Sequence, residues 1–388
     1  MKENLIKHIE DIKDDILSIS DYIFDNPEEG YKEYKAHEIL TRYLIKNGFK
    51  VEKIKGLETA FKGVYENKSD GPSIGLLCEY DALEDIGHAC GHHMQGPAIV
   101  AAAVALKETI KDYAFKVVVY GTPAEETNGG KIDMLEKGCF GDIDVALMFH
   151  ASQTTSVDIK TMTLSNFIVK FNGKSAHAAI QPEDGRSALD GLILAFNGVE
   201  FLREHVKEDT RIHYNVIYGG GPNNVIPSDA EGSFCFRSYN RKYLDKVIER
   251  FKNIIHGASL MTGTTYEIVE EKPFNNKIPV YKLNELLISN AKMVNAPRIR
   301  PPREKTGSTD FGNVTYMIPG SCIRVAFVPE NVANHSRGFL NAGKSEDAHK
   351  AIIYAAKILA ASSFDLVKDK GMLEDIKKEF KINKSKEN

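Results

Sequence analysis

The segment GHACGHHMQG, Gly87 to Gly96, packs three histidines and a cysteine into six consecutive residues. Buried imidazoles and thiols must be hydrogen-bonded or desolvated at a cost, and nothing local offsets that cost in such a cluster. A metal ion does. Cys90 and His92 alternate, so in an extended or turn conformation both face one point, and thiolate with neutral imidazole suits Zn(II) and related ions. For His88 and His93 the choice between ligand and structural residue stays open. A second segment, GTPAEETNGG, Gly121 to Gly130, sets Glu125 beside Glu126 directly after the apolar run FKVVVY. Adjacent carboxylates at a strand end project differently, so one can hold a metal while the other serves an attacking water as general base. An isolated Glu-Glu pair is more commonly a solvated charge pair, but Gly129 and Gly130 mark a close backbone approach. His150 ends the run DVALMFH, and His335 follows the run SCIRVAFVP. Either histidine alone reads as structural; three strand-end sites plus a downstream histidine do not read as coincidence.

The elements that must position these residues alternate in type. Leu5, Ile9, Ile12, Ile16, Ile19 and Ile23 form one apolar helical stripe ending before Pro27, and a second helix runs from Tyr34 to Asn47 with Gly48 as its stop. Short apolar runs, AFKGVYE, SIGLLCEY, FKVVVYG and DVALMFH, then alternate with helical segments such as GPAIVAAAVALKETI. That pattern predicts an α/β layer with largely parallel central strands, and ligands in such sheets bind beyond the carboxyl ends of the strands. From Leu164 the order becomes strand, helix, strand, strand, helix, strand, the βαββαβ pattern of a ferredoxin-like domain. After Pro273 the chain returns to helix, a Gly-rich turn, the strand SCIRVAFVP and a long helix from Ser345. The expected organisation is therefore a first domain over 1–163 and 273–388, with an insertion over 164–272.

Composition sets limits on partners. The 388 residues are 42% hydrophobic and 27% charged, the balance of an ordinary globular protein long enough for two domains. A net charge of -4 and the lack of a basic stripe argue against nucleic acid. No long uncharged apolar run predicts a membrane span, and MKENLIKHIEDIKDD carries acids where a signal peptide needs an apolar stretch. Five scattered cysteines fit a reducing compartment, so the expected location is cytoplasmic. The tail KKEFKINKSKEN is expected to fray.

EYDALEDIGHACGHH, GTPAEE, MFHAS, GKSAHAA, PNNVIP, GSTDFGN and NHS stand in the order, and near the spacing, of the dinuclear metallopeptidase and amidohydrolase family that includes aminoacylase. The chain most resembles the branch with a cysteine ligand, which holds indole-acetyl amino acid hydrolases, the aminobenzoyl-glutamate hydrolase B subunit and aminoacylase-like dipeptidases. The resemblance covers nearly the whole chain. It implies a zinc-peptidase-like catalytic domain with a mixed, mainly parallel sheet flanked by helices, and an inserted lid that also dimerises. It implies that Cys90, His92, Glu126, His150 and His335 hold two divalent ions, Mn or Zn in the first instance and Co or Ni otherwise, with Glu125 as general base. Asp81 would orient a ligating imidazole. His177, from the insertion, would hydrogen-bond the developing oxyanion, often across a dimer interface in this family. Asn224 and Arg237 resemble residues that grip a substrate carboxylate. The implied activity is hydrolysis of N-acyl amino acids or dipeptides, with aminobenzoyl-glutamate-type or β-alanyl substrates within the same mechanism. A thiol hydrolase built on Cys90, and a non-catalytic metal- or ligand-binding protein, are the alternatives from other classes. One departure stands out: hydrolases of plant-hormone conjugates typically follow CGH with Asp, whereas this chain has His93.

Overall fold

The computed structural model describes all residues except Asn128, Lys305 and Asn388. Contacts divide the chain into two compact units, one of Met1–Thr161 with Lys277–Lys386, the other of Met162–Asn276 with Glu387. In chain order the first unit begins α1 (Lys2–Asp11), α2 (Lys13–Asp25), α3 (Tyr34–Lys46), β1 (Lys50–Ile54), β2 (Leu57–Asn67), β3 (Ser73–Cys78), α4 (Gln95–Thr109), β4 (Phe115–Gly121), α5 (Gly130–Glu136), β5 (Val145–Ser152) and β6 (Ser156–Val157). The second unit holds β7 (Thr163–Asn172), α6 (Ala188–Arg203), β8 (Arg211–Tyr218), β9 (Asp229–Ser238), α7 (Arg241–Thr262) and β10 (Thr265–Glu270). The first unit then resumes with α8 (Tyr281–Met293), α9 (Phe311–Met317), β11 (Gly320–Ala326), α10 (Arg337–Asn341), α11 (Glu346–Lys368) and α12 (Lys370–Ser385).

The first unit is an α/β fold on a seven-stranded mixed sheet of order β1-β2-β4-β3-β5-β11-β6. The β4/β3, β3/β5 and β5/β11 pairs are parallel, and the outer pairs are antiparallel. Strand side chains alternate between faces, so Ile74, Leu76, Val117, Val119, Leu147, Phe149, Ile323 and Val325 point into one core. Leu77, Val118, Tyr120, Met148 and Cys322 point into the other. Helix α4 is apolar all round, and it is buried from Gln95 to Leu106 beneath α1 and α11.

Three local expectations need correction. The N-terminal stripe is two helices, broken at Ile12, whose φ of -102° and ψ of 3° leave the helical region. A strict three-and-four spacing drifts around a straight helix, and the break keeps both Leu5/Ile9 and Ile16/Ile19/Ile23 on one core. The charged tail forms α12 as far as Ser385, because Leu373, Ile376 and Phe380 share a buried face and Asp369 accepts from Met372 N at its start. Strand β5 runs two residues past His150, so that histidine lies within the strand.

In the second unit, β7, α6, β8, β9, α7 and β10 follow one another, and the strands form an antiparallel sheet of order β10-β7-β9-β8. Phe167, Phe171, Phe234, Phe236 and Phe251 pack with Leu192, Val199 and Val247 from the two helices into a separate core.

Candidate metal centre

Four strand ends of the first sheet deliver the candidate residues. β3 leads to Glu79 and Asp81, β4 to the loop bearing Glu125 and Glu126, and β11 to the segment bearing His335, while His150 sits near the end of β5. Cys90 and His92 lie at the entry to α4, where Gly91 adopts φ 84° and a Cβ would come within 2.8 Å of the Ala151 Cβ. Glycine is needed there for both reasons. Two non-glycine residues, Ala124 at φ 60° and His335 at φ 58°, occupy the left-handed region beside the site. Such backbone persists only when its surroundings over-determine it. Ala124 N donates to Glu33 Oε1 (2.8 Å) and its carbonyl accepts from Gly129 N (2.9 Å), while His335 N donates to Ala89 O (3.1 Å).

The five proposed ligands converge. Cys90 Sγ and ring nitrogens of His92 and His150 all lie within 4.8 Å of one another, and so do donor atoms of Cys90, Glu126 and His335. Cys90 is common to both triads. Cys90 Sγ is 3.5 Å from His150 Nε2, and Glu126 Oε1 is 3.4 Å from His335 Nε2 and 3.9 Å from His92 Nε2. His92 Nδ1 donates to Asp81 Oδ1 (3.0 Å), and His150 Nδ1 donates to the Ala151 carbonyl (2.8 Å), so each Nε2 presents a lone pair to the centre. Asp81 uses its other oxygen to accept from Glu126 N (2.9 Å), fixing a second ligand as well.

The donor set fits divalent cations. Among the described residues neither His92 Nε2 nor Glu126 Oε1 has a hydrogen-bond partner, a costly state for two buried lone-pair donors unless cations stand beside them. Burial pushes the Cys90 thiol up to about 12, so a thiolate there requires an adjacent positive charge. Burial, with the carboxylates of Glu79, Asp310 and Glu126, holds Glu125 well above the usual carboxylate range. His88 and His93 lie outside both triads: His88 Nε2 bonds Ile23 O (3.1 Å), His93 Nε2 bonds Gly343 O (2.9 Å), and both rings pack on Phe24.

One member of an adjoining cluster, Lys131, lies outside every motif quoted from the sequence. Lys131, fully buried on α5, places Nζ 2.6 Å from Glu79 Oε1 and 2.6 Å from Asp310 Oδ1, and Glu79 Oε2 in turn stands 3.2 Å from His92 Nε2. Glu125 joins Glu79 and Asp310 within 4.8 Å. The motif GSTDFGN did contain Asp310, but a lysine in GGKIDM carries no local sign that it will be buried.

The remaining expected residues lie in the second unit. His177 is exposed in the loop after β7, with Nδ1 accepting from Ala179 N (3.2 Å); Ala178 N donates to Asn224 O (3.0 Å), which makes Asn224 its neighbour. Arg237 is half-buried on β9, opposite Leu164 of β7 and Arg211 of β8.

A mixed α/β sheet that gathers two donor triads and a paired glutamate at its strand ends defines a metallohydrolase, and residues 72–360 match the profile of peptidase family M20/M25/M40. The chain belongs to that family and is a hydrolase of peptide and related amide bonds. It is similar to the Xaa-Arg dipeptidase of Mus musculus, 33% identical over 100% of this chain and 94% of that protein. It is also similar to the p-aminobenzoyl-glutamate hydrolase B subunit of Escherichia coli (strain K12), at 29% over 93% of this chain and 91% of that one. Among solved structures, a Bacillus subtilis dinuclear metal-binding peptidase of the M20 family superposes with TM-score 0.72 at 16% identity, covering 92% of this chain and 99% of that one. An aminobenzoyl-glutamate utilization protein from Klebsiella pneumoniae gives 0.72 at 18%, covering 93% and 98%. At such identities the two structures speak to the fold alone.

Proposed function

We propose that the protein cleaves the amide bond of N-acyl amino acids or dipeptides at a two-metal centre that Cys90, His92, Glu126, His150 and His335 would hold. The observation that carries this reading is the pair of triads sharing one thiol, with Glu125 beside them within reach of His92 and Glu126. Manganese or zinc suits the donors best, and cobalt or nickel can replace them, since thiolate, imidazole and carboxylate together discriminate weakly among these ions. When bound, the ions supply Lewis acidity that acidifies water and polarises the scissile carbonyl.

The chain's own residues do the rest. A Glu125 carboxylate oxygen takes a proton from the attacking water and returns it to the leaving amine nitrogen. Asp81 orients His92 through Nδ1 and Glu126 through its backbone N–H, so both ligands are fixed before substrate arrives. The second unit, read as a ferredoxin-like lid over 164–272, brings His177 to the oxyanion on closure, and Asn224 and Arg237 hold the substrate carboxylate. This unit also serves as the surface of a homodimer. The substrate classes follow the relatives' names, an Xaa-Arg dipeptidase and a p-aminobenzoyl-glutamate hydrolase. Five unpaired cysteines support a cytoplasmic location.

Chelation tests the reading against a thiol hydrolase on Cys90. Dialysis against EDTA should abolish hydrolysis of an acyl-amino acid and dipeptide panel, and Mn(II) or Zn(II) should restore it; activity that survives chelation refutes the metal mechanism. Glu125→Gln should keep its metal content and lose about 10³-fold in kcat, the scale of a missing general base. A fully active Glu125→Gln would displace Glu125 from that role.

A further inference from the structure

The loop that carries Glu125 is braced by the segment between α2 and α3. Its residue Ala124 sits at φ 60°, where an L residue stays only at a cost and only when its surroundings hold it. The Ala124 carbonyl accepts from Gly129 N (2.9 Å), a bond internal to the loop. The Ala124 amide is held from outside the loop, by Glu33. That side chain is fully buried, and it divides its oxygens: Oε1 accepts from Ala124 N (2.8 Å) and Oε2 from Thr59 Oγ1 (2.8 Å) on β2. Two neighbours of Glu33 press on the same region. A Cβ on Gly30 would come within 2.3 Å of Thr127 Oγ1 and 3.0 Å of Ala124 Cα, so segment and loop lie in direct contact. Tyr31 Oη donates to Asp133 Oδ2 on α5, the helix into which the loop leads. The segment is itself anchored. Glu28 O accepts from Ala82 N (2.8 Å), next to Asp81, and Glu28 Oε2 accepts from Lys35 N (2.8 Å) and Ala36 N (3.1 Å) at the start of α3.

Burying a carboxyl group is costly, and this one is spent on holding an alanine in a conformation that alanine disfavours. The two glutamates that follow differ in what else fixes them. Glu126 N has its own anchor in Asp81 Oδ2 (2.9 Å), whereas the Glu33 bond falls on the residue immediately before Glu125. We infer that Glu33 is a positioning residue for Glu125: by pinning Ala124 in the left-handed region it aims the next side chain, so that a Glu125 oxygen stays within 4.8 Å of donor atoms of His92 and Glu126. Glu33 meets neither substrate nor metal and acts only through the backbone of Ala124. The inference rests on Glu125 as general base and adds the residue that orients it.

Glu33→Met, similar in length but without an acceptor, tests it in the Mn-loaded full-length enzyme. Its kcat should fall about 50-fold, the scale of a small misplacement of a reacting group, with KM changed by less than about threefold and metal content as in the wild type. Glu33→Gln keeps an acceptor for Ala124 N and should recover most of the loss. Adding Ala124→Gly to Glu33→Met should raise kcat about fivefold, because glycine takes a positive φ without help. A carboxyl that only stabilised the fold would give no such recovery. If Glu33→Met does not fold, Glu33→Asp carries the same test: it keeps the charge, withdraws the oxygens by one bond, and should lose about tenfold in kcat. Hydrogen exchange separates this inference from the base assignment. The Gly129 amide, which bonds the Ala124 carbonyl and does not touch Glu33, should exchange about tenfold faster in Glu33→Met. If Glu125→Gln stays active while Gly129 exchange rises in this way, the base assignment falls and the brace stands. Wild-type kcat in the Glu33 variants, no recovery with Ala124→Gly, or unchanged Gly129 exchange would overturn the brace and leave the base assignment untouched.

Discussion

Two buried ion clusters of the first unit are built from similar parts and carry opposite surpluses. Around Lys131, one ammonium faces the carboxylates of Glu79 and Asp310, with Glu125 close by. Around Asp158, one carboxylate meets Arg303 and Arg324, while Lys277 Nζ donates to the Asp158 backbone carbonyl. The first cluster sets one ammonium against two carboxylates and adjoins lone-pair donors without a hydrogen-bond partner among the described residues; the second sets two guanidiniums against one carboxylate and lines the cavity. The lesson is that the sign of an unbalanced buried cluster identifies what must arrive to complete it, and around Lys131 and the neighbouring donor triads that is cations.

The comparison breaks first at Lys131. Lys131→Met should lose about 3–5 kcal/mol of stability in urea unfolding, because Glu79 and Asp310 become uncompensated buried carboxylates. Adding Asp310→Asn should return part of that loss. A neutral Lys131→Met would show that the acidic cluster is not in deficit. Asp158→Asn should cost less, about 2 kcal/mol, because Arg303, the more exposed of its two guanidinium partners, can regain water when the carboxylate is lost. An unchanged unfolding midpoint for Asp158→Asn would show that the arginines do not depend on this carboxylate.

The smallest effect concerns Glu33, which accepts from Ala124 N (2.8 Å) and Thr59 Oγ1 (2.8 Å). Burial, then the nearby Asp81 carboxylate, raises Glu33 to about 7. A raised carboxyl favours the folded state most below its unfolded value, and that contribution disappears as pH rises through the folded one. Stability should therefore fall as pH rises from 4.5 to 7.5, and Glu33→Gln should flatten this part of the profile measured by thermal unfolding. A wild-type profile flat over that range would show that Glu33 stays ionised.

Much of the site was legible locally. Cys90 and His92 alternate in a glycine-flanked turn, and Glu125 and Glu126 follow a β-branched run, so residue type, spacing and position at strand ends pointed to a metal centre. His150 was legible as a residue of the strand but not as its end, because backbone pairing with β11 carries β5 to Ser152. The break at Ile12 and the ordered tail were missed for related reasons: each depends on which surface the segment meets, and no window of sequence contains that surface.

By itself the sequence determined the element types of the α/β layer, the order of the second unit's strands and helices, and the donors available to a metal, because hydrophobic period, turn residues and ligand chemistry are properties of neighbouring residues. Tertiary structure alone decided that Cys90 serves both triads, that Lys131 is buried against Glu79 and Asp310, and that Arg324 stands beside His150 over a single carboxylate. Those facts join residues tens to hundreds of positions apart, and charge balance in a low-dielectric interior depends on distances that only the folded chain sets.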